Sequence, residues 1–517
     1  MRIANKLQSL LRGGRVLLAP PQGLRRADMI AMGCIMASCF FLFQFGDLDY
    51  AACTSYAYLE GHFFDFYRYN MATFSAAVPG FGADFLQPIY LLLAAWNAPL
   101  KLFGLTGRAA QGILKLSAAE LAWTKLLLVV FFALCSVTIL KIARLIAGED
   151  EPAKLCMFLF ASNPLTIYCI FIFGAFEIFS LAFMMLGLYA FLKNRHWQFI
   201  FWFALAIPFK YFAAIPFLPL LLLGEKKVWK ILRGLFAAVV PTLVCFTFLV
   251  LDQGSMAQRE LTSMGFFNFR LLDIGPMMRP AIFVLAYLAI CLFAHFKCND
   301  DRRRQEYAVL LPLAAFVLVF ACMNWHMQWL ILLAPWLALA FLFSPNRSIS
   351  LLLQTLGTAA LFVKILSIYS NSFFPRDGNF LVDPAQGSLE HLECFLGNFW
   401  VSSSAGYGAL RGFLQPGIFS AGAYIPISIF PYLDVITLLF LLSPFLLQYL
   451  QRKNAIWPAL RLFKTETGYL RLYCYGGLAA YFLPIAAASA FYAWFPSAFF
   501  SSLQDWISTL PNVSAIL

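Results

Sequence analysis

Two carboxylates one residue apart, Asp47 and Asp49, open the stretch GDLDYAACTSYAYLEGHFF (Gly46–Phe64). They follow directly on the first long apolar segment, about Met29 to Phe45, where a chain would leave a membrane. A carboxylate is costly near lipid, and it is the group a site needs to remove a proton or hold a metal. In extended backbone, residues two apart point to the same side, so both acids can line one site. The alternative is the solvated start of a loop.

Other charged and polar residues stand where they are costly. Lys210 sits between two short apolar runs, 197–209 and 211–223, as either a phosphate-binding cation or a cap on the first run's C-terminal end. Glu177 is expected at the same face as the Asp pair, as a second acid or a third metal ligand. Arg259, Arg270 and Arg279 share one expected outer loop and can meet a phosphate bidentately, or simply be solvated. His326, at the outer end of a helix, can donate to the same phosphate or serve as an interfacial residue. An Asp-x-Asp pair is an incomplete shell for a divalent cation. A metal-independent base is therefore preferred and no cofactor is expected, with a cation at Asp47/Asp49 as the alternative.

The elements that position these residues follow from composition. The 517 residues are 62% hydrophobic and 12% charged, with a mean hydropathy of +0.77. A soluble chain carries about 25% charged residues, so an all-α polytopic membrane protein is expected. Apolar segments lie near 29–46, 119–140, 153–173, 176–192, 230–251, 280–296, 306–322, 328–343, 349–369, 431–450 and 473–494. The two runs around Lys210, broken by Pro208 and Pro216, read as a helical hairpin or half-helices, giving about 11–13 helices in all. The first apolar run lacks a small-residue cleavage site and reads as a retained helix. There is no CxxC, no zinc-type Cys/His cluster, no GxGxxG and no P-loop, so a cytosolic nucleotide site is not expected.

Charge gives an orientation. Arg2, Lys6, Arg12, Arg15, Arg25 and Arg26 precede any acid, which predicts a cytoplasmic N-terminus over 1–28. The clusters Lys226-Lys227-Lys230-Arg233 and Arg302-Arg303-Arg304 then fall inside as topology determinants, and nucleic acid is not needed to explain the net charge of +12. Long segments at 47–118, 252–279 and 370–430 fall outside. This divides the chain into a catalytic transmembrane region, 29–343, and a C-terminal transmembrane region, 344–517. The stretch Phe85–Gly104, apolar but broken by Gln87, Pro88, Asn97 and Pro99, is expected to be an interfacial helix. It either guides a lipid tail or covers the flank.

The order of these segments resembles the GT-C superfamily of membrane glycosyltransferases, over about Phe45–Phe341. GDLDY with Gly61 is similar to the first-loop motif of the GPI-anchor mannosyltransferases and related bacterial enzymes. FGAFEIFSLAFMMLGLYAFLKNRHW (Phe173–Trp197) resembles their Gly-x-x-Asp/Glu segment, with Glu177 as the acid. IPFKYFAAIPFLPLLLL (Ile207–Leu223) resembles the Lys-containing, Pro-rich segment that follows. NWHMQWLILLAPWLALA (Asn324–Ala340) resembles the segment that opens a late helix with Gln and an aromatic, here Gln328 and Trp329, where Tyr is more usual.

The resemblance implies an inverting transferase that takes a hexose such as mannose from a polyprenyl-phosphate donor. The acceptor would be a lipid-linked or surface glycan on the extracytoplasmic face, in a bacterium that of the plasma membrane. Such a reaction needs a base for the acceptor hydroxyl and a cationic or hydrogen-bonding partner for the leaving phosphate. Asp49, followed by Tyr50 as in the motif, is the first choice of base and Asp47 the close second. The remaining readings are a transporter or flippase of lipid-linked saccharides, and a polysaccharide polymerase or ligase. Acids concentrated on one face favour an enzyme.

Overall fold

Long apolar runs cross lipid only when each backbone N–H and C=O is paired within the segment, which selects helices here. The computed structural model describes residues 20–42, 46–74, 83, 85–105, 116–252, 278–296, 301–322, 327–344, 346–368, 445 and 466–494. Every element among them is helical. The chain is an all-α polytopic membrane protein.

α1 (Arg26–Leu42) carries the first apolar run, and α2 (Gly46–Leu59) starts at the Asp47/Asp49 pair. α3 (Phe66–Phe74) and α4 (Gln87–Leu102) follow. α4 buries Ile89, Tyr90, Leu93, Ala94, Asn97 and Leu100 at helical spacing and leaves Leu91 and Leu102 exposed. It is fastened to α5 (Ala118–Ala147) by Trp96 and Trp123, each indole N–H donating to the other's backbone carbonyl at 2.7 and 2.8 Å. α5 begins with a Ser117–Glu120 capping box, in which each side chain satisfies the other's backbone N–H.

The expected span 153–173 is broken. α6 (Asp150–Ala161) ends, and the chain bends by 48° into α7 (Pro164–Ile167) and a π-helical turn, Tyr168–Phe173. Asn163 caps the second piece by accepting from Leu165 N at 2.9 Å, and Pro164 has no N–H to lose at the first helical position.

α8 (Glu177–Leu192) and α9 (His196–Phe209) form a close hairpin, in which a Cβ at Gly187 would come within 2.7 Å of the Phe203 ring. A 3-10 turn, Tyr211–Ala213, leads into α10 (Ala214–Gly224), so the expected pair of half-helices around Lys210 is present. Then come α11 (Val228–Leu251), α12 (Met278–Phe296) and α13 (Asp301–Cys322). Between two 3-10 turns, Met327–Leu332 and Phe341–Phe343, lies α14 (Ala334–Ala340), followed by α15 (Arg347–Ile368) and α16 (Glu466–Trp494). Ala119–Ala147 and Val228–Leu251 are each long and apolar enough to cross a membrane, and the bent pair at 150–173 is a third, broken span. α14 is buried over its whole length and α8 nearly so, which makes them the centre of the packing.

Two ends can be told apart. Asp252, at the end of α11, accepts from Tyr67 N at 2.5 Å and from Arg68 Nε at 3.0 Å, joining that end to α3. At the other end Arg304, in the first turn of α13, donates to Asn194 Oδ1 at 2.7 Å, and Lys226 donates to the Ala294 carbonyl. Apart from Phe445, the expected span 431–450 lies outside the described residues, as do the segment 370–430, Arg259, Arg270, His326 and the side chain of Arg279.

Candidate active site

Asp47 and Asp49 stand in the first turn of α2, not in extended backbone. The expectation that both point to one side is therefore corrected. At 3.6 residues per turn, positions two apart are rotated by about 200° around the axis.

The two carboxylates accordingly have different surroundings. Asp47 is half-buried, and its Oδ2 is 3.5 Å from Gln328 Nε2. Asp49 is 5% exposed and faces inward, where its charge acts on Lys125 of α5 and on Cys53. Leu48, between them, packs on Gly174, and a Cβ on that glycine would lie 3.1 Å from Leu48 Cδ2. Gly174 has φ +78°, the left-handed conformation that lets the chain turn from the π-helical segment into α8. The start of α2 is thus seated directly on the turn that delivers Glu177.

Glu177 opens α8, and Lys210 is the single extended residue (φ −156°, ψ 114°) between α9 and the 3-10 turn. Pro208 cannot donate a helical N–H, so the break falls close to it. Lys210 Nζ lies 3.0 Å from Glu177 Oε1, with side chains 7% and 1% exposed. The ammonium also stands 5.0 Å from the Trp329 ring centre and 5.4 Å from that of Phe85. Such an aromatic enclosure suits a cation that has lost its water. Phe85 meets Phe176, and Trp329 meets Phe212, both edge to face.

Asp47 with Gln328 and Glu177 with Lys210 are two contacting pairs, and Trp329, the residue next to Gln328, faces Lys210, so that one chain segment reaches both. Lys125 belongs to none of the motifs that mark the other site residues. It lies in α5, 2% exposed, and donates to the Phe40 carbonyl at 2.5 Å and the Phe171 carbonyl at 3.0 Å. These oxygens belong to the last turns of α1 and of the π-helical segment, which lack helical donors. The signal was available: a lysine inside an apolar span is expensive and marks a role. Beyond the C-terminal end of α2, His62 holds the Asp65 carboxyl below the usual carboxylate range through a 3.0 Å contact and stacks on Tyr69. Among the described residues no group of three or more His, Cys, Asp or Glu is arranged for a metal ion.

No family model matches the chain, and no curated protein matches it. Among solved structures it is similar to ArnT from Cupriavidus metallidurans bound to undecaprenyl phosphate, at 12% identity and a TM-score of 0.41, covering 87% of this chain and 85% of that one. The apo state of the same protein gives 13% identity and a TM-score of 0.40, with 86% and 83% covered.

Proposed function

We propose that this chain is a membrane glycosyltransferase that moves a sugar, a hexose such as mannose, from a polyprenyl-phosphate donor to a lipid-linked or surface glycan acceptor. The observation that carries the reading is the group Asp47–Gln328–Trp329–Lys210–Glu177. Its carboxylate is half-exposed at one end, and its cation is buried between aromatic rings at the other. The sequence resemblance to the GT-C superfamily supplies the reaction class and inversion at the anomeric carbon.

In this reading Asp47 is the base that takes the acceptor hydroxyl's proton, since it is the acid with an open side. Gln328 holds its carboxylate in place. Asp49 acts through Lys125 and positions the start of α2. Lys210 lends positive charge to the leaving phosphate, and Glu177 holds that lysine in place. Aromatic walls exclude water, which strengthens each of these interactions. A divalent cation shared by Asp47 and Asp49 does not suit carboxylates on different sides of a helix, so the base is taken to act without metal. Catalysis falls to the region 29–343, with an extracytoplasmic site and a cytoplasmic N-terminus.

The test is turnover of a radiolabelled polyprenyl-phosphate mannose by the purified full chain in proteoliposomes that contain a membrane glycan-lipid extract. Label covalently transferred to acceptor, with polyprenyl phosphate released, supports the transferase. Label that crosses the bilayer with its donor bond intact supports a flippase instead.

A further inference from the structure

At the end of the bundle away from Asp47 lies a cavity of about 500 Å³, enclosed by the α8–α9 turn, the α10–α11 loop and the start of α13. α8 has 16 residues, so this cavity is about 24 Å from Glu177 at 1.5 Å per residue. It is a separate site.

Its lining is cationic. Arg304, Arg233 and Lys230 face one carboxylate, Glu225. Glu225 is already engaged, with the backbone N–H groups of Lys226 and Lys227 at 3.0 and 3.1 Å and with Lys230 Nζ at 3.5 Å. Neither arginine has a carboxylate partner among the described residues. Arg233 stands over the Trp197 ring at 4.7 Å and Arg304 over the Phe191 ring at 4.8 Å, while Arg304 also donates to Asn194. Aromatic support fixes a guanidinium and leaves N–H groups free for a planar or tetrahedral oxyanion.

An apolar track leads away from the cations. Trp197 and Phe201 on α9 and Leu232 and Phe236 on α11 are 53%, 54%, 51% and 69% exposed. These two helices pack side by side. A free phosphate would use the cations alone, whereas a lipid would use cations and track together.

We propose that this cavity binds the phosphate headgroup of an anionic membrane lipid. Arg233 and Arg304 meet the phosphate oxygens, and Lys230 completes the positive field. The acyl chains lie along Phe201, Leu232 and Phe236. Basic pockets between membrane helices recognise lipid headgroups through this combination of fixed charge and apolar surface.

Native mass spectrometry of the purified full chain in detergent, titrated with phosphatidylglycerol, reads the binding directly. The wild type is expected to retain one lipid that the Arg233→Gln/Arg304→Gln variant binds about tenfold more weakly. Lys230→Gln, at an exposed residue that carries little fold risk, is expected to weaken retention about threefold. Arg26→Gln/Lys141→Gln, an equal charge change at two exposed residues elsewhere, is expected to leave it unchanged. Equal retention by wild type and both pocket variants overturns the proposal. Displacement of the lipid by millimolar inorganic phosphate, or equal retention of phosphatidylcholine, overturns the assignment to an anionic lipid.

Discussion

Glu177 Oε1 and Lys210 Nζ lie 3.0 Å apart with both side chains withdrawn from solvent. The acid opens α8 and the lysine follows the end of α9, so the pair clasps the open end of the hairpin. Removing one partner strands the other as a buried charge, at a cost of about 3–5 kcal/mol. Lys210→Met and Glu177→Gln are each expected to lower thermal stability in detergent by that order. The double variant should lose less than the sum of the two. Strictly additive losses would show that the two groups are not coupled.

Lys125 is expected to matter for stability although it was not conspicuous in the sequence. Its ammonium serves the last carbonyls of two helical pieces, at Phe40 and Phe171, and lies within reach of the Asp49 charge. Lys125→Met strands those oxygens at about 1–3 kcal/mol each. Thermal unfolding followed by reaction of the buried thiols Cys39 and Cys53 measures this. An unchanged midpoint would contradict the capping role.

Gly174 ties backbone conformation to the site. An alanine there strains a left-handed residue by about 1–2 kcal/mol and presses on Leu48, beside both acids. Gly174→Ala is expected to reduce sugar transfer severalfold in protein that remains folded. Adding Leu48→Ala removes the contact but not the strain, so partial recovery is expected. No recovery would mean that backbone strain alone accounts for the loss.

Much of the site was legible because charge inside apolar sequence is costly. Lys210 stood out for that reason, and Glu177 and Gln328 through the motifs they resemble. Gln328 lies against Asp47, and Glu177 against Lys210. The break at Lys210 was legible from Pro208 and Pro216. Other features were hidden by weak local signals. The segment after Gly46 has no strong periodicity, so a helix there was not anticipated, nor was the divergence of Asp47 from Asp49. The bend at Asn163–Pro164 lay within an apolar run that read as continuous. Lys125 was masked by the strength of the surrounding span, and its partners are backbone carbonyls, which sequence does not reveal.

The central claim is that Asp47 takes the acceptor's proton, and purified Asp47→Asn protein tests it most directly. Asparagine keeps the size and the contact to Gln328 but cannot serve as a base. Transfer of radiolabelled sugar from a synthetic polyprenyl-phosphate donor is expected to fall by about 10² or more, with donor binding and thermal stability largely kept. Asp49→Asn is expected to lower stability together with activity. Near-normal turnover by Asp47→Asn alone would contradict the account, and near-normal turnover by Asp49→Asn and the double variant as well would return the transporter reading to first place.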